Sequence, residues 1–155
     1  MSYLAHILQP DEKVLFDGHL HWIIYGRAIL FAVLAGLCGG ALYFLGDQQG
    51  LKFSALSLAI IFGVIAVAFA LHAWWRAFMT EIAVTTHRVI YKTGFIRRYT
   101  AEMNMDKVES VDVVQPLLGR LLDYGSVRVR GTGASLEQLD YVGHPLALRN
   151  AITVR

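Results

Sequence analysis

Two long runs without charge limit what this chain can fold into. No Asp, Glu, Lys or Arg occurs in residues 28–46 or in residues 53–75, which are 19 and 23 consecutive residues. A helix of about 20 apolar residues crosses the ~30 Å hydrocarbon core of a bilayer, so each run predicts a transmembrane helix. Aromatic residues typical of the membrane interface extend the first helix back to Trp22. The predicted spans are therefore 22–45 and 53–75, joined by a short connector as a hairpin.

The two runs also account for the composition. The chain is 55% hydrophobic and only 17% charged, whereas about a quarter of the residues in a soluble domain are charged. Residues 76–155 alone come close to that soluble value. The sequence thus predicts an N-terminal segment at 1–21, a transmembrane hairpin at 22–75 and one small domain at 76–155. A large multidomain enzyme is excluded because 80 residues form only one small domain.

The distribution of positive charge predicts how the hairpin is oriented. Lys and Arg near the membrane are concentrated on the side of the two termini, with Lys52 alone in the connector. By the positive-inside rule both termini face the cytoplasm of a multi-pass membrane protein. The polar segment before the first run and the length of that run do not fit a cleavable signal peptide.

The residues after Arg76 show the pattern of a small sheet protein. Ile82 and Val84 alternate with polar neighbours, and residues 126–130 place two valines on one face and two arginines on the other. Pro145 suits the first turn of a closing helix. The prediction is an α+β chain: a two-helix transmembrane hairpin, then a small antiparallel β-barrel or sandwich with a C-terminal helix.

Several blocks, in order, carry a resemblance to a known family. They are residues 84–96 (VTTHRVIYKTGFI), 106–111 (DKVESV) and 118–125 (LGRLLDYG), with residues 12–16 (EKVLF) before the membrane helices. This order resembles the bacterial pleckstrin-homology-like (PH-like) domain family of the membrane-flanked type. The resemblance implies a PH-like domain anchored at the bacterial inner membrane, and it brings no catalytic residues.

The sequence predicts no catalytic, cofactor-binding or metal site. Cys38 is the only cysteine and cannot form a disulfide or a cysteine-based zinc site within one chain. His19, His21 and Asp17 are close in sequence, but their spacing is common by chance and they are better explained without a metal. A net charge of +2 does not indicate nucleic-acid binding.

One candidate site is a basic hairpin around residues 88–98. Its cations could contact anionic lipid headgroups or another anionic ligand, since a basic group near an anionic leaflet gains about 1 kcal/mol. An ordinary solvated hairpin explains the same charges. The candidate contacts are Arg88, Lys92, Arg97 and Arg98.

Two further sets of residues predict assembly. Small residues at four-residue spacing allow helices to pack closely, either within the hairpin or with another chain; the candidates are Gly36, Gly40, Ala59 and Gly63. A leucine-rich crossover forms either an adhesive patch or part of the core; it contains Leu117, Leu118, Leu121 and Leu122. We therefore expect a non-enzymatic assembly or scaffold module, forming a homo-oligomer or binding another membrane protein, with lipid or anion binding by the basic hairpin as the alternative.

Overall fold

The chain is organised as two compact units. The computed structural model describes residues 11–45, 48–94, 99–132, 134–135 and 138–153. One unit is helical and spans Trp22–Trp75. The other combines a strand that precedes the helices with the part of the chain from Arg76 onward.

The helical unit contains the two apolar helices expected from the sequence. A 3-10 helix at Trp22–Tyr25 leads into α1 (Gly26–Phe44), and α2 spans Gln49–Met79. Both are long and apolar enough to cross a membrane. The second helix begins before residue 53 and continues past residue 75, because Lys52 and Arg76 are good helix formers and a change in charge does not end a helix.

The two helices contact each other through aromatic and small residues. The ring of Phe31 lies 6.1 Å from that of Phe62 and stacks on that of Phe69 at 5.6 Å. Ala28 and Ala66 are buried. Most large side chains of both helices, by contrast, point outward.

Four antiparallel strands form the first sheet in the order β1-β2-β3-β4. They are β1 (Val14–Gly18), β2 (Glu81–Thr85), β3 (Arg88–Thr93) and β4 (Tyr99–Asn104). No strand is predicted from the sequence before the helices, yet β1 pairs with β2 in the register Phe16↔Val84 and Gly18↔Ile82. Gly94, where the sequence predicts a turn, has a φ of 85°, which favours glycine; residues 95–98 lie outside the described part of the chain.

The second sheet is built around β6. Its strands are β5 (Val108–Val114), β6 (Tyr124–Gly131), β7 (Ala134–Ser135) and β8 (Leu139–Gly143), with α3 (Leu117–Leu122) between β5 and β6. The strand β6 pairs with β5, β7 and β8, all antiparallel. A bridge between Leu20 and Val142 joins the end of the N-terminal segment to β8.

The core lies between the two sheets and the C-terminal helix α4 (Pro145–Thr153). Ile82, Val84 and Val89 from the first sheet pack with Val127 and Val129 from the second. The closing helix adds the buried side chains of Leu148 and Ile152. The predicted α+β fold is confirmed, and the two sheets form a sandwich rather than a closed barrel. The alternation predicted for β6 is also correct, since its valines are buried and its arginines exposed.

Candidate functional site

The first cation of the predicted basic hairpin, Arg88, is held in a buried ion-pair network. Its guanidinium donates from Nη2 to Glu12 Oε2 at 2.8 Å and from Nε to Glu12 Oε1 at 2.9 Å. Nη1 donates to Glu102 Oε2 at 2.8 Å. Only 1% of the Glu12 side chain and 16% of the Arg88 side chain are exposed. The hydrogen bonds to Glu12 raise the pKa of Arg88 above its usual value.

Thr85 completes this network beneath the turn between β2 and β3. Its buried hydroxyl donates to Glu12 Oε1 at 2.6 Å and accepts from the backbone N–H of Arg88 at 3.1 Å. Thr86 N–H also donates to the backbone oxygen of Lys13 at 3.0 Å. Glu12, Thr85 and Arg88 therefore fasten the segment before the helices to the hairpin that follows them.

Lys92 also faces a carboxylate. It lies opposite Glu81 in the β2–β3 register, with Nζ 4.0 Å from Glu81 Oε2. Only 18% of the Lys92 side chain is exposed. Arg97 and Arg98, the other two predicted contacts, lie outside the described residues. The two described cations of the hairpin are thus engaged with acidic side chains of the same unit.

The leucine-rich crossover forms α3, and its leucines point outward. Leu117 is 84% exposed, Leu118 62% and Leu121 79%, while Leu122 is partly buried. Val114, just before the helix, is 65% exposed. The sequence left core burial and an adhesive patch open for these residues, and three of the four leucines lie outside the core. We call Val114, Leu117, Leu118 and Leu121 the leucine face.

Close packing against β6 fixes the position of α3. Gly119 is buried, and a Cβ there would lie 2.5 Å from the backbone oxygen of Tyr124. The side-chain amide of Gln115 donates to the carbonyl oxygens of Gly119 and Tyr124 at 3.4 and 3.3 Å. Because the Gly119 side of α3 packs against β6 in this way, Leu117, Leu118 and Leu121 stay on the exposed side of the helix.

The end of α3 is fixed by contacts between Asp123 and His144. Asp123 adopts a left-handed conformation with φ of 55°, and its N–H donates to the backbone oxygen of Gly119. Its Oδ2 lies 2.5 Å from His144 Nδ1, and His144 N–H donates to the Asp123 backbone oxygen at 3.1 Å. This pair connects α3 to the start of α4.

The residue before the first apolar helix, His21, packs beside the end of α3. Its ring stacks on that of Tyr124 with centroids 5.3 Å apart, and the backbone N–H of His21 donates to the backbone oxygen of Tyr141 at 2.6 Å. Burial lowers the pKa of His21, and the nearby charge of His144 lowers it further. Among the described residues, no three His, Cys, Asp or Glu side chains are arranged to hold a metal ion.

Sequence reasoning missed the partners of these residues. Glu12, the buried acidic partner of Arg88, lies 76 residues earlier in the chain. Tyr124, whose ring stacks on that of His21, lies in β6. Local periodicity in the sequence does not predict contacts between residues that are so far apart in the chain. Glu12 lies in the block at residues 12–16 that resembles the family, and this block by itself predicts no contact with Arg88.

The small residues of the two helices fall into two groups. Ala28 and Ala32 of α1 and Ala66 and Ala70 of α2 line one shallow groove of the hairpin. At Gly36, Gly40 and Gly63, by contrast, an added Cβ would meet no atom within 4 Å. Ala59 is partly buried. These three glycines therefore do not bring α1 and α2 together within one chain.

Comparison with known families yields one match. Residues 22–152 match the family model described as "bacterial PH domain". The match covers both apolar helices and nearly all of the domain after them. No curated protein matches the sequence significantly.

Proposed function

Because the chain belongs to the bacterial PH domain family, whose domains are generally non-catalytic, we propose that it is a membrane-anchored, non-enzymatic interaction module. It works at the cytoplasmic face of the inner membrane and assembles with copies of itself. The observation that carries the proposal is the exposed apolar surface of the two long helices. Leu37 and Val64 are each 65% exposed and Leu71 60%. Side chains like these gain about 1.5–3 kcal/mol each when they leave water, and a bilayer provides that environment.

The strand β1 supports a hairpin with both ends on one side of the membrane. The chain leaves β1 for the helices and returns directly into β2, and these two strands are hydrogen-bonded neighbours. A single crossing would place the two strands on opposite sides of the bilayer, where they could not pair. The excess of Lys and Arg outside the connector supports the cytoplasmic side.

The outward glycines of α1 support assembly through the membrane helices. Gly36 and Gly40 are exposed at four-residue spacing, and the space around them is empty within the hairpin. Small residues of this kind let the backbone of a second helix approach closely. With no role between α1 and α2, they are available to a second copy of the chain.

Mass measurement of the full chain in nanodiscs tests the assembly. We expect a dimer or larger oligomer for the natural sequence and a shift to monomer for Gly36→Leu/Gly40→Leu. Gly50→Leu is the matched control, because Gly50 is also a helical glycine with no atom within 4 Å of an added Cβ. A monomer for the natural sequence contradicts the assembly proposal. Crosslinking in cells then distinguishes a foreign membrane-protein partner from a second copy.

The alternative function, lipid or anion binding by the basic hairpin, has less support. Arg88 and Lys92 already face Glu12, Glu102 and Glu81. Pairing of this kind neutralises the charge that an anionic headgroup would attract. No observation among the described residues favours this function over the interaction module.

A further inference from the structure

The leucine face is an exposed apolar surface, which a partner would stabilise by removing it from water. A short helix that projects three leucines and is followed by a tyrosine is unusual on a surface bathed only in water. Its leucines are held outward by the close approach of Gly119 to the Tyr124 backbone. The face is therefore a rigid feature of the domain and does not depend on a loop rearranging.

Within the sheet unit, the end of this helix packs near the residue that precedes the first apolar helix in the chain. His21 stacks on Tyr124, which is two residues after the end of α3. Trp22 follows His21 directly and begins the 3-10 helix that leads into α1. Four residues of 3-10 helix rise about 8 Å at most, close to the ~5–8 Å of headgroup region on each side of the hydrocarbon core. His21, and with it Tyr124, is thus within reach of the headgroups if α1 crosses the membrane.

The composition of α3 matches that of the membrane interface. Apolar side chains can enter the boundary between headgroups and acyl chains, while an exposed arginine reaches the phosphates. Arg120 is exposed on the same helix, and Tyr124 has the amphipathic ring typical of interfacial residues.

We propose that the leucine face of α3 inserts into the headgroup boundary of the bilayer that holds the two apolar helices. This inference rests on the proposed membrane anchoring and names lipid as the partner of α3. The insertion gives the domain a third attachment besides its two covalent connections to the helices. It fixes which surface of the domain faces the membrane and which surface remains available to other proteins.

Site-specific fluorescence in nanodiscs tests the insertion on the full chain. A small environment-sensitive dye is attached to a single cysteine in each of three proteins. Two carry Leu121→Cys or Asn150→Cys in a Cys38→Ala background, and the third has only the natural Cys38. Leu121 and Asn150 are both exposed, so neither change disturbs the core. Nanodiscs at one chain per disc carry a lipid with a quencher near the headgroup or, separately, along the acyl chain.

We expect the dye at residue 121 to be quenched by the headgroup-proximal quencher and the control dye at residue 150 to remain unquenched. Equal, weak quenching at both positions overturns the insertion. Quenching or a blue shift at residue 121 that needs several chains per disc also overturns it and assigns the leucine face to a second copy. The dye on Cys38 tests the membrane anchoring separately from the insertion of the leucine face. If the acyl-chain quencher does not quench this dye, the membrane anchoring is refuted, and the insertion with it.

Discussion

Removal of the Glu12 carboxylate is expected to release β1 from the sheet. In Glu12→Ala the guanidinium of Arg88 loses the two hydrogen bonds that it donates to Glu12, at 2.8 and 2.9 Å. The Glu12 side chain is only 1% exposed. Breaking a buried ion pair by deleting one partner costs about 3–5 kcal/mol. Arg88 keeps its bond to Glu102, and the Thr85 hydroxyl still has the Arg88 carbonyl oxygen at 2.9 Å. Because both contacts remain in the variant, we expect the free energy of unfolding to fall by about 3 kcal/mol, the lower end of that range.

Hydrogen exchange followed by mass spectrometry measures this loss directly on the full chain in detergent or nanodiscs. A loss of about 3 kcal/mol makes amide exchange in β1 and β2 about a hundredfold faster, since every 1.4 kcal/mol is a factor of ten. The control is Glu102→Ala, which deletes a carboxylate whose side chain is 37% exposed. Exposed pairs contribute at most about 1 kcal/mol, so exchange should rise less than about tenfold.

A paired replacement of Glu12 and Arg88 provides a second test. Glu12→Met/Arg88→Met leaves no unpaired buried charge, because Glu102, which loses its partner Arg88, has a side chain that is 37% exposed. The double variant should therefore restore much of the protection lost in Glu12→Ala. The account of β1 is refuted if Glu12→Ala and Glu102→Ala change exchange equally. It is also refuted if the faster exchange spreads over β5 and β6 without affecting β1.

Two further predictions concern the end of α3. Gly119→Ala would place a Cβ 2.5 Å from the Tyr124 oxygen and should lower the free energy of unfolding by about 1–3 kcal/mol, whereas Gly50→Ala, measured by the same thermal unfolding, should not lower it. The pKa of His21 is lowered by burial and then by His144. Just below pH ~6.5, the unfolded chain therefore binds more protons than the folded chain. Stability should rise with pH through that window. His21→Phe keeps a ring over Tyr124 and should flatten this part of the stability profile; a profile identical to that of the natural chain would contradict the assignment.

Local patterns predicted the parts of this fold that depend on neighbours in sequence. The uncharged runs located both apolar helices, and the alternation at residues 126–130 correctly placed Val127 and Val129 in the core. The strand β1 was missed because its partner β2 comes more than sixty residues later, beyond both helices. Its own sequence, with a single Asp among apolar residues, has no clear alternation.

The candidate site was harder to predict for a related reason. Leucines at 117, 118, 121 and 122 have the same spacing in a core helix and in a surface helix, so periodicity could not decide their exposure. From the sequence alone, Arg88 is indistinguishable from an ordinary surface cation. Its ion pair with Glu12 forms because β1 pairs with β2. In both cases the deciding contact is tertiary, and only the folded chain reveals it.

Cysteine accessibility in intact bacterial cells tests the central claim most directly. In a Cys38→Ala background, Gln48→Cys lies in the connector and Glu109→Cys on the exposed side of β5. A membrane-impermeant maleimide added outside the inner membrane should label residue 48 in intact cells and residue 109 only after lysis. Labelling of residue 109 in intact cells, or protection of residue 48, would contradict a hairpin that holds the PH-like domain at the cytoplasmic face.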